Sequence, residues 1–242
     1  MTQHKDIYTK FMIDYDKASV TSSYPSLTQY EIATILDKAY MALISQKVTG
    51  NNVRRTPFEA DIKSISDLQG LVCTEKLSPT SKLAGLDYID NLKSFSLPSN
   101  FLYFVSATGS FCEDDDYDNT QNIKLVSHGV AQKFFETQNN KPWIKDPVAF
   151  IEQEKINVVY DPVRNMQHQT DSNINTVSIT FIHKPNSFIP TSASVPIYAS
   201  TTPFECSDNM AQELVSLAVA FALENVESQR LNSKLNMRGL EA

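Results

Sequence analysis

Cysteine is scarce in this sequence. Cys73, Cys112 and Cys206 are odd in number and widely spaced, which fits neither a disulfide framework nor a metal site built on thiolates. Reduced thiols, in a chain assembled in a cytoplasm, are the expectation. Glycine is equally short, with six residues and no cluster, so there is no Gly-rich phosphate loop and no nucleophile elbow. Long hydrophobic runs are missing too. No apolar stretch approaches the roughly 18 residues that read as a membrane span, and even Leu214–Leu223 contains Ser216. The opening MTQHKDIYTK has no apolar run after its charges, so no signal peptide is expected. Positive charge is in deficit: a net charge of −7 argues against a surface that coats nucleic acid, though not against DNA sliding past ungripped. His4, His128, His168 and His183 are scattered, and none stands at helix-ligand spacing from a Cys, Asp or Glu. No catalytic residue, cofactor or metal is therefore expected, and the chain does not read as an enzyme.

What is present is enough apolar material, 41% of 242 residues, for one large domain or two small ones. The longest helical pattern runs from Glu205 to about Asn236, with Ser207 or Asp208 as its N-cap. Leu214, Leu217, Ala218, Val219, Phe221, Ala222, Leu223 and Val226 cover well over half its circumference, leaving a strip of Glu213, Ser216, Glu224 and Glu227. A surface helix needs a narrower apolar arc, so this one predicts cover on more than one side. Past Ser228 the pattern turns: Leu231 and Leu235 project on the formerly polar side. Either a second short helix begins there or the tail docks on a different partner.

The N-terminal third reads as helices. Ile7, Phe11 and Tyr15 recur at four-residue spacing between Asp6 and Asp16, and a loop follows at Ser19–Ser26. Thr28 with Glu31 forms a capping box ahead of an Ile32, Ile35, Leu36, Ala39, Leu43 stripe that Gly50 closes. Thr56, Pro57 and Glu59 announce another helix, whose buried face would be Phe58, Ile62, Ile65 and Leu68.

From Lys76 the chain becomes loop-rich and then β-like. Phe101–Val105 reads as a buried strand, Asn122–Ser127 as a half-buried one, and Ile156–Tyr160 as a third. Val177, Ile179 and Phe181 alternate with Ser178 and Thr180, a strand with one wet face. Val130–Glu136 predicts a short helix, and the polar stretch Asn165–Asn175 a loop. Pro142 and Pro147 flank Trp143 in an extended crossing where the indole would plug a gap, and Pro185, Pro190 and Pro196 keep the approach to the last helix irregular. The acidic segment Cys112–Asn119 could hold a divalent cation, but it lacks the Gly and distal Glu of a calcium loop. A solvated hairpin tip is the better reading. The fold class predicted is α+β, with N-terminal helices (residues 1–75), a β-rich insertion with proline-rich arms (76–200), and a C-terminal helix (201–242) completing the helical part around a central antiparallel sheet or sandwich.

Several strings carry a resemblance. LTQYEIATILDKA (Leu27–Ala39), FEADIKSISDLQGLV (Phe58–Val72), SHGVAQKFFETQNNKPWIKDPVAF (Ser127–Phe150), ITFIHKP (Ile179–Pro185) and ECSDNMAQELVSLAVAFALENVESQR (Glu205–Arg230) resemble neck proteins of crAss-like short-tailed phages of Bacteroidales. The order of helices, β-rich middle and long helix is also similar to tail tubular or adaptor proteins. The resemblance implies a structural virion protein at the head–tail junction, in a ring that is typically twelve-fold. Its partners would be further copies of itself, the portal protein, a neighbouring neck ring and tail proteins. Viral DNA would pass through the lumen without sequence-specific binding, and no membrane would be involved. The family supplies no catalytic residues. A ring subunit needs two different adhesive surfaces, and the candidates are Arg54, Arg55, Trp143, Arg230, Leu231 and Leu235. The alternatives are a virion-associated cell-wall hydrolase and a tail-fibre subunit. The first wants converging acidic residues or a Cys–His pair, and the second a Gly-rich repetitive chain.

Overall fold

The computed structural model describes residues 2–18, 27–50, 58, 61–82, 85–86, 89, 92–113, 117–135, 142, 146–161, 173–190 and 196–225. The fold is α+β. In chain order the elements are α1 (His4–Ala18), α2 (Gln29–Thr49), α3 (Ile62–Leu68), β1 (Val72–Leu77), β2 (Pro79–Thr80), β3 (Leu92–Ser96), β4 (Phe101–Glu113), β5 (Tyr117–Asn122) and β6 (Lys124–Leu125). Then follow α4 (His128–Phe135), β7 (Val148–Glu152), β8 (Lys155–Val159), β9 (Asn173–His183) and α5 (Asp208–Asn225). They form two compact units, Met1–Leu71 with Pro185–Ala242, and Val72–Lys184.

The first unit is helical, and its caps explain where its helices begin. The Thr28 hydroxyl accepts from the Glu31 N–H at 3.3 Å, while the Glu31 carboxylate accepts from the Thr28 N–H at 2.7 Å. Both halves of the capping box are thus made, and Gly50 ends α2 at φ 72°. Ser207 caps α5, its hydroxyl oxygen accepting from the Met210 N–H at 3.1 Å. Helices α1 and α2 pack on α5. Between them lie Ile7, Phe11, Leu36, Leu43, Leu214, Leu217 and Ala218, all fully or almost fully buried. Phe221 is only half-buried, with the Lys38 ammonium 4.8 Å above its ring. The wide apolar arc of α5 is accounted for by cover from two helices. Its continuation beyond Asn225, with Val226, lies outside the described residues.

The chain rejoins the helices at Pro185 rather than at residue 201. What holds residues 185–190 and 196–205 there is aromatic and polar. Phe188 stacks on His4 at 4.0 Å, Tyr40 meets both Phe188 and Phe204, and Asp37 accepts from the Phe188 N–H at 2.7 Å.

Helix α3 departs from its expected orientation. Ile62 and Ile65 are 86% and 41% exposed, whereas Ser64 and Asp67 are buried alongside Leu68. The cause is ionic: Lys47 and Ser207 both bind Asp67, and this rolls the two isoleucines outward. Asp61 caps the helix, accepting from the Lys63 N–H at 3.2 Å and the Ser64 hydroxyl at 2.9 Å. Thr56, Pro57 and Glu59 lie outside the described residues.

The second unit is a β-sandwich. One sheet has the order β1-β9-β4-β5 and is antiparallel throughout. The other has the order β2-β3-β8-β7-β6 and is antiparallel except for the β6–β7 pair. Leu77, Ala107, Val177, Ile179 and Phe181 of the first meet Phe95, Ala149, Ile156 and Val158 of the second in one core, as facing sheets require. On the other face of the five-stranded sheet, Leu92, Val148, Phe150 and Val159 pack with Ala131, Phe134 and Phe135 of α4. The β7–β8 hairpin turns through Gln153 and Glu154, both in the left-handed region at φ 47° and 59°, as a two-residue turn demands.

Several strands differ from expectation. Phe101–Val105 is half-buried rather than buried, because β4 is set by its pairing with β9 and runs on to Glu113. Asn122–Ser127 is not one strand: β5 ends at Asn122, Ile123 turns into the core, and β6 holds only Lys124 and Leu125, both exposed. The segment read as a loop up to Asn175 is already β9 from Asn173. Strand β3 falls where only loop is anticipated, and β1 begins at Val72, within the stretch assigned to the helical part.

Candidate functional site

Three helices of the first unit converge on a cluster of charge. The Lys47 ammonium of α2 lies 2.7 Å from Asp67 of α3 and 2.9 Å from Glu213 of α5, and Lys63 binds the second Glu213 oxygen at 2.9 Å. Asp67 also accepts from the Ser207 hydroxyl, so the α5 cap belongs to the same network. Burial works against the Lys47 charge, but the hydrogen bonds and charges of Asp67 and Glu213 outweigh it and hold its pKa above the usual lysine value. Beside this cluster is a groove of about 500 Å³, lined by Lys10, Ile13 and Asp14 of α1, Lys63, and Asn209, Gln212 and Ser216 of α5. Each carboxylate of the cluster is already matched by an ammonium. That arrangement ties the three helices together.

The four-stranded sheet shows a different chemistry on its outer face. Its pairing aligns hydroxyls in rows: Thr74, Thr180 and Ser106 in one, Ser178 and Thr108 in the next, Thr176, Ser110 and Thr120 in a third. Thr74 and Thr180 share a hydrogen bond of 3.0 Å. Along these rows the face is polar, with Lys76 beside Ser178, while Val72, Ile182 and Tyr103 continue it as an apolar row at one end; the two outermost strands are β1 and β5.

The remaining titratable groups are structural in their contacts. His4 is buried, and burial lowers its pKa to about 4 against a smaller opposing pull from Asp37. His128 begins α4, with Nε2 3.0 Å from the Ile151 carbonyl and Nδ1 3.8 Å from Glu152. His183 ends β9 with Nδ1 2.9 Å from the Lys184 carbonyl, and His168 lies outside the described residues. Cys206 sits 3.2 Å from the Tyr40 hydroxyl, and burial, the largest influence, pushes its thiol up to about 12. Among the described residues no three His, Cys, Asp or Glu side chains gather as a metal site would require. None of the described helices is long and apolar enough to cross a membrane.

The interface candidates read from the sequence, Arg54, Arg55, Trp143, Arg230, Leu231 and Leu235, all lie outside the described residues. So does the centre of the acidic segment, residues 114–116, although β4 and β5 pair on either side of it with Glu113 opposite Tyr117. No protein-family model matches the chain, and no curated protein is significantly similar to it.

The charged cluster and the hydroxyl rows went unnoticed in the sequence, yet each left a trace there. Lys47 occupies the helical position that continues Tyr40, Leu43 and Ile44, a lysine where the stripe calls for an apolar residue. Ser106, Thr108 and Ser110, and likewise Thr176, Ser178 and Thr180, recur with the period of two that a strand imposes.

Proposed function

We propose that this chain is a structural subunit of a ring in the head–tail neck of a crAss-like, short-tailed bacteriophage, with the genome passing through the bore. The observation that carries the reading is the spread of the resembling strings. They fall on α2, α3, α4, β9 and α5, so they involve both the helical unit and the β-sandwich rather than one common supersecondary motif. The chemistry is in keeping with it. A net charge of −7 and a sheet face of hydroxyls suit a wall past which DNA slides, because strong binding to phosphates would require clustered lysine and arginine. The partners are further copies of the chain, typically twelve in such rings, together with the portal, a neighbouring ring and tail proteins.

Native mass spectrometry of the purified protein, alone and with the portal protein, tests the proposal together with cryo-EM of virions. A closed ring of copies at the head–tail junction is the expected result. A protein missing from the virion, or present there as an isolated monomer, overturns it.

A further inference from the structure

The four-stranded sheet ends in two strands of equal length, β1 and β5, six residues each. Among the described residues, the backbone hydrogen bonds of these strands run inward to β9 and β4, and none reaches their outer sides from another segment. The edges are also accessible, with Thr74, Glu75, Lys76, Thr120 and Asn122 exposed. Such a row of open N–H and C=O groups is a template for another strand, and native proteins usually blunt it with very short strands, charged side chains, proline or bulges, of which β1 carries only the charges of Glu75 and Lys76. The other sheet has that protection, since its outermost strands β2 and β6 hold two residues each. Neither β1 nor β5 contains proline.

We propose that copies of this chain join edge to edge, β5 of one pairing antiparallel with β1 of the next, to make one sheet that continues from subunit to subunit. The partner, a second copy, rests on the ring reading above. Strand direction supports the junction. In the order β1-β9-β4-β5 every neighbour is antiparallel, so β1 and β5 run in opposite senses. An identical copy placed alongside in the same orientation therefore offers its β1 antiparallel to β5. An odd number of strands would have forced a parallel junction. Two different edges meeting in this way make a heterologous contact, the kind that closes into a ring.

Register supports it as well. Matching the strands end to end sets Val72 opposite Asn122 and Thr74 opposite Thr120, so that two threonines meet at the middle of the junction. This phase also respects the pleat. Cys73 and Leu77 face the core of the sandwich, and so does Gln121, which pairs with Gly109 between the inward Ala107 and Val177 positions. The hydroxyl row Thr176, Ser110, Thr120 then runs directly into Thr74, Thr180 and Ser106 of the next copy.

Cysteine cross-linking distinguishes this junction from contacts within one chain. Two intervening strands put β1 and β5 about 14 Å apart in a single copy, well beyond the roughly 3.5–4.5 Å between Cβ atoms that a disulfide allows. Thr74→Cys and Thr120→Cys proteins would be purified separately, mixed and mildly oxidised, with the parent chain alongside to account for its own cysteines. The expected product is a dimer joined by a 74–120 disulfide, located by peptide mass mapping and absent when either variant is oxidised alone. The double variant should give a ladder of covalent oligomers. A 74–74 or 120–120 bond as the main product overturns the head-to-tail pairing. Oligomers by native mass spectrometry with no 74–120 disulfide overturn the edge pairing and leave the ring reading standing. A chain that stays monomeric at every concentration, alone and with portal, overturns both.

Discussion

The Lys47 ammonium sits 2.7 Å from the Asp67 carboxylate with both side chains almost withdrawn from water, 10% and 3% exposed. The pair joins helices that are otherwise linked by few contacts, and Glu213 completes it from α5. Removing the cation would leave the Asp67 carboxylate without a counter-charge in a poorly solvated place, and Glu213 with Lys63 alone. Lys47→Met is expected to cost about 3–5 kcal/mol, which lowers the melting temperature by about 10 °C in a chain of this size. Adding Asp67→Asn should recover part of that loss, so that a double-mutant cycle reports coupling. Because the folded-state pKa of Lys47 is raised, its contribution is complete below the usual lysine pKa and fades as pH rises through the higher value. A melting temperature unchanged in Lys47→Met would contradict the cluster's role.

Gly70 offers a steric test of the same region. A Cβ placed there would lie 1.9 Å from the Glu205 carbonyl oxygen, a backbone atom that cannot step aside as a side chain can. Gly70→Ala should therefore destabilise by about 3 kcal/mol or more. Gly129 is the control, since it lies in α4 with nothing within 4 Å of an added Cβ. Gly129→Ala should be tolerated, with a change of no more than about 0.5 kcal/mol, because the position lies in the first turn of the helix. Urea denaturation of the two variants measures both, and similar values for the two would refute the close approach.

These contacts show where sequence alone runs out. The start of α2 is legible because both members of its capping box lie within four residues, and β9 because its alternation is internal to the strand. Strand β1 pairs with a segment about a hundred positions later, and β3 with one about sixty later. Neither has a hairpin turn to announce it, and β3 carries Lys93 and Ser94, which look unlike a buried strand. Ser94 is buried only because Asn157 bonds it across the ladder at 2.6 Å. The isoleucines of α3 misled for a related reason. Periodicity reports which face is apolar, and here a polar face was drawn inside by ions from other helices. His4 appeared to stand alone in sequence although its stacking partner is Phe188. The open edges of β1 and β5 depend on the order of all four strands, which no local pattern encodes.

The buried His4 makes acid sensitivity a second readout of the helical unit. Its pKa is lowered to about 4, chiefly by burial, while in the unfolded chain it returns to about 6.5. Between these values the unfolded state binds the extra proton, so stability falls as pH drops below about 6.5 and the effect levels off near 4. The full loss is about 3 kcal/mol. His4→Phe keeps a ring against Phe188 and has no proton to bind, so its melting temperature should change less than the parent's between pH 6.5 and pH 4.5. Parallel pH profiles for the two proteins would show that His4 is not buried as a neutral ring.

Thiol reactivity tests the contact between α2 and the start of α5. Attack on iodoacetamide requires the thiolate. With its pKa pushed up to about 12, Cys206 exists as thiolate at pH 8 only to the order of one part in 10⁴. Burial is the main cause. The charges of Glu205 and Asp67 add to it, while the Tyr40 hydrogen bond and the Lys47 charge oppose it. Cys73 is also raised, by burial and then by Glu75, but it is on the outermost strand of its sheet, only partly packed against the core, whereas Cys206 has the Tyr40 hydroxyl at its sulfur. Mass-mapped alkylation of the native protein should therefore label Cys73 well before Cys206, and urea should bring the two rates together. Tyr40→Phe removes the hydroxyl that favours the thiolate, so it should slow native labelling of Cys206 further, provided the fold is kept. Faster labelling in that variant without loss of thermal stability would mean that the hydroxyl shields the sulfur instead of activating it. Equal native rates for Cys73 and Cys206 would contradict the burial of Cys206 against Tyr40.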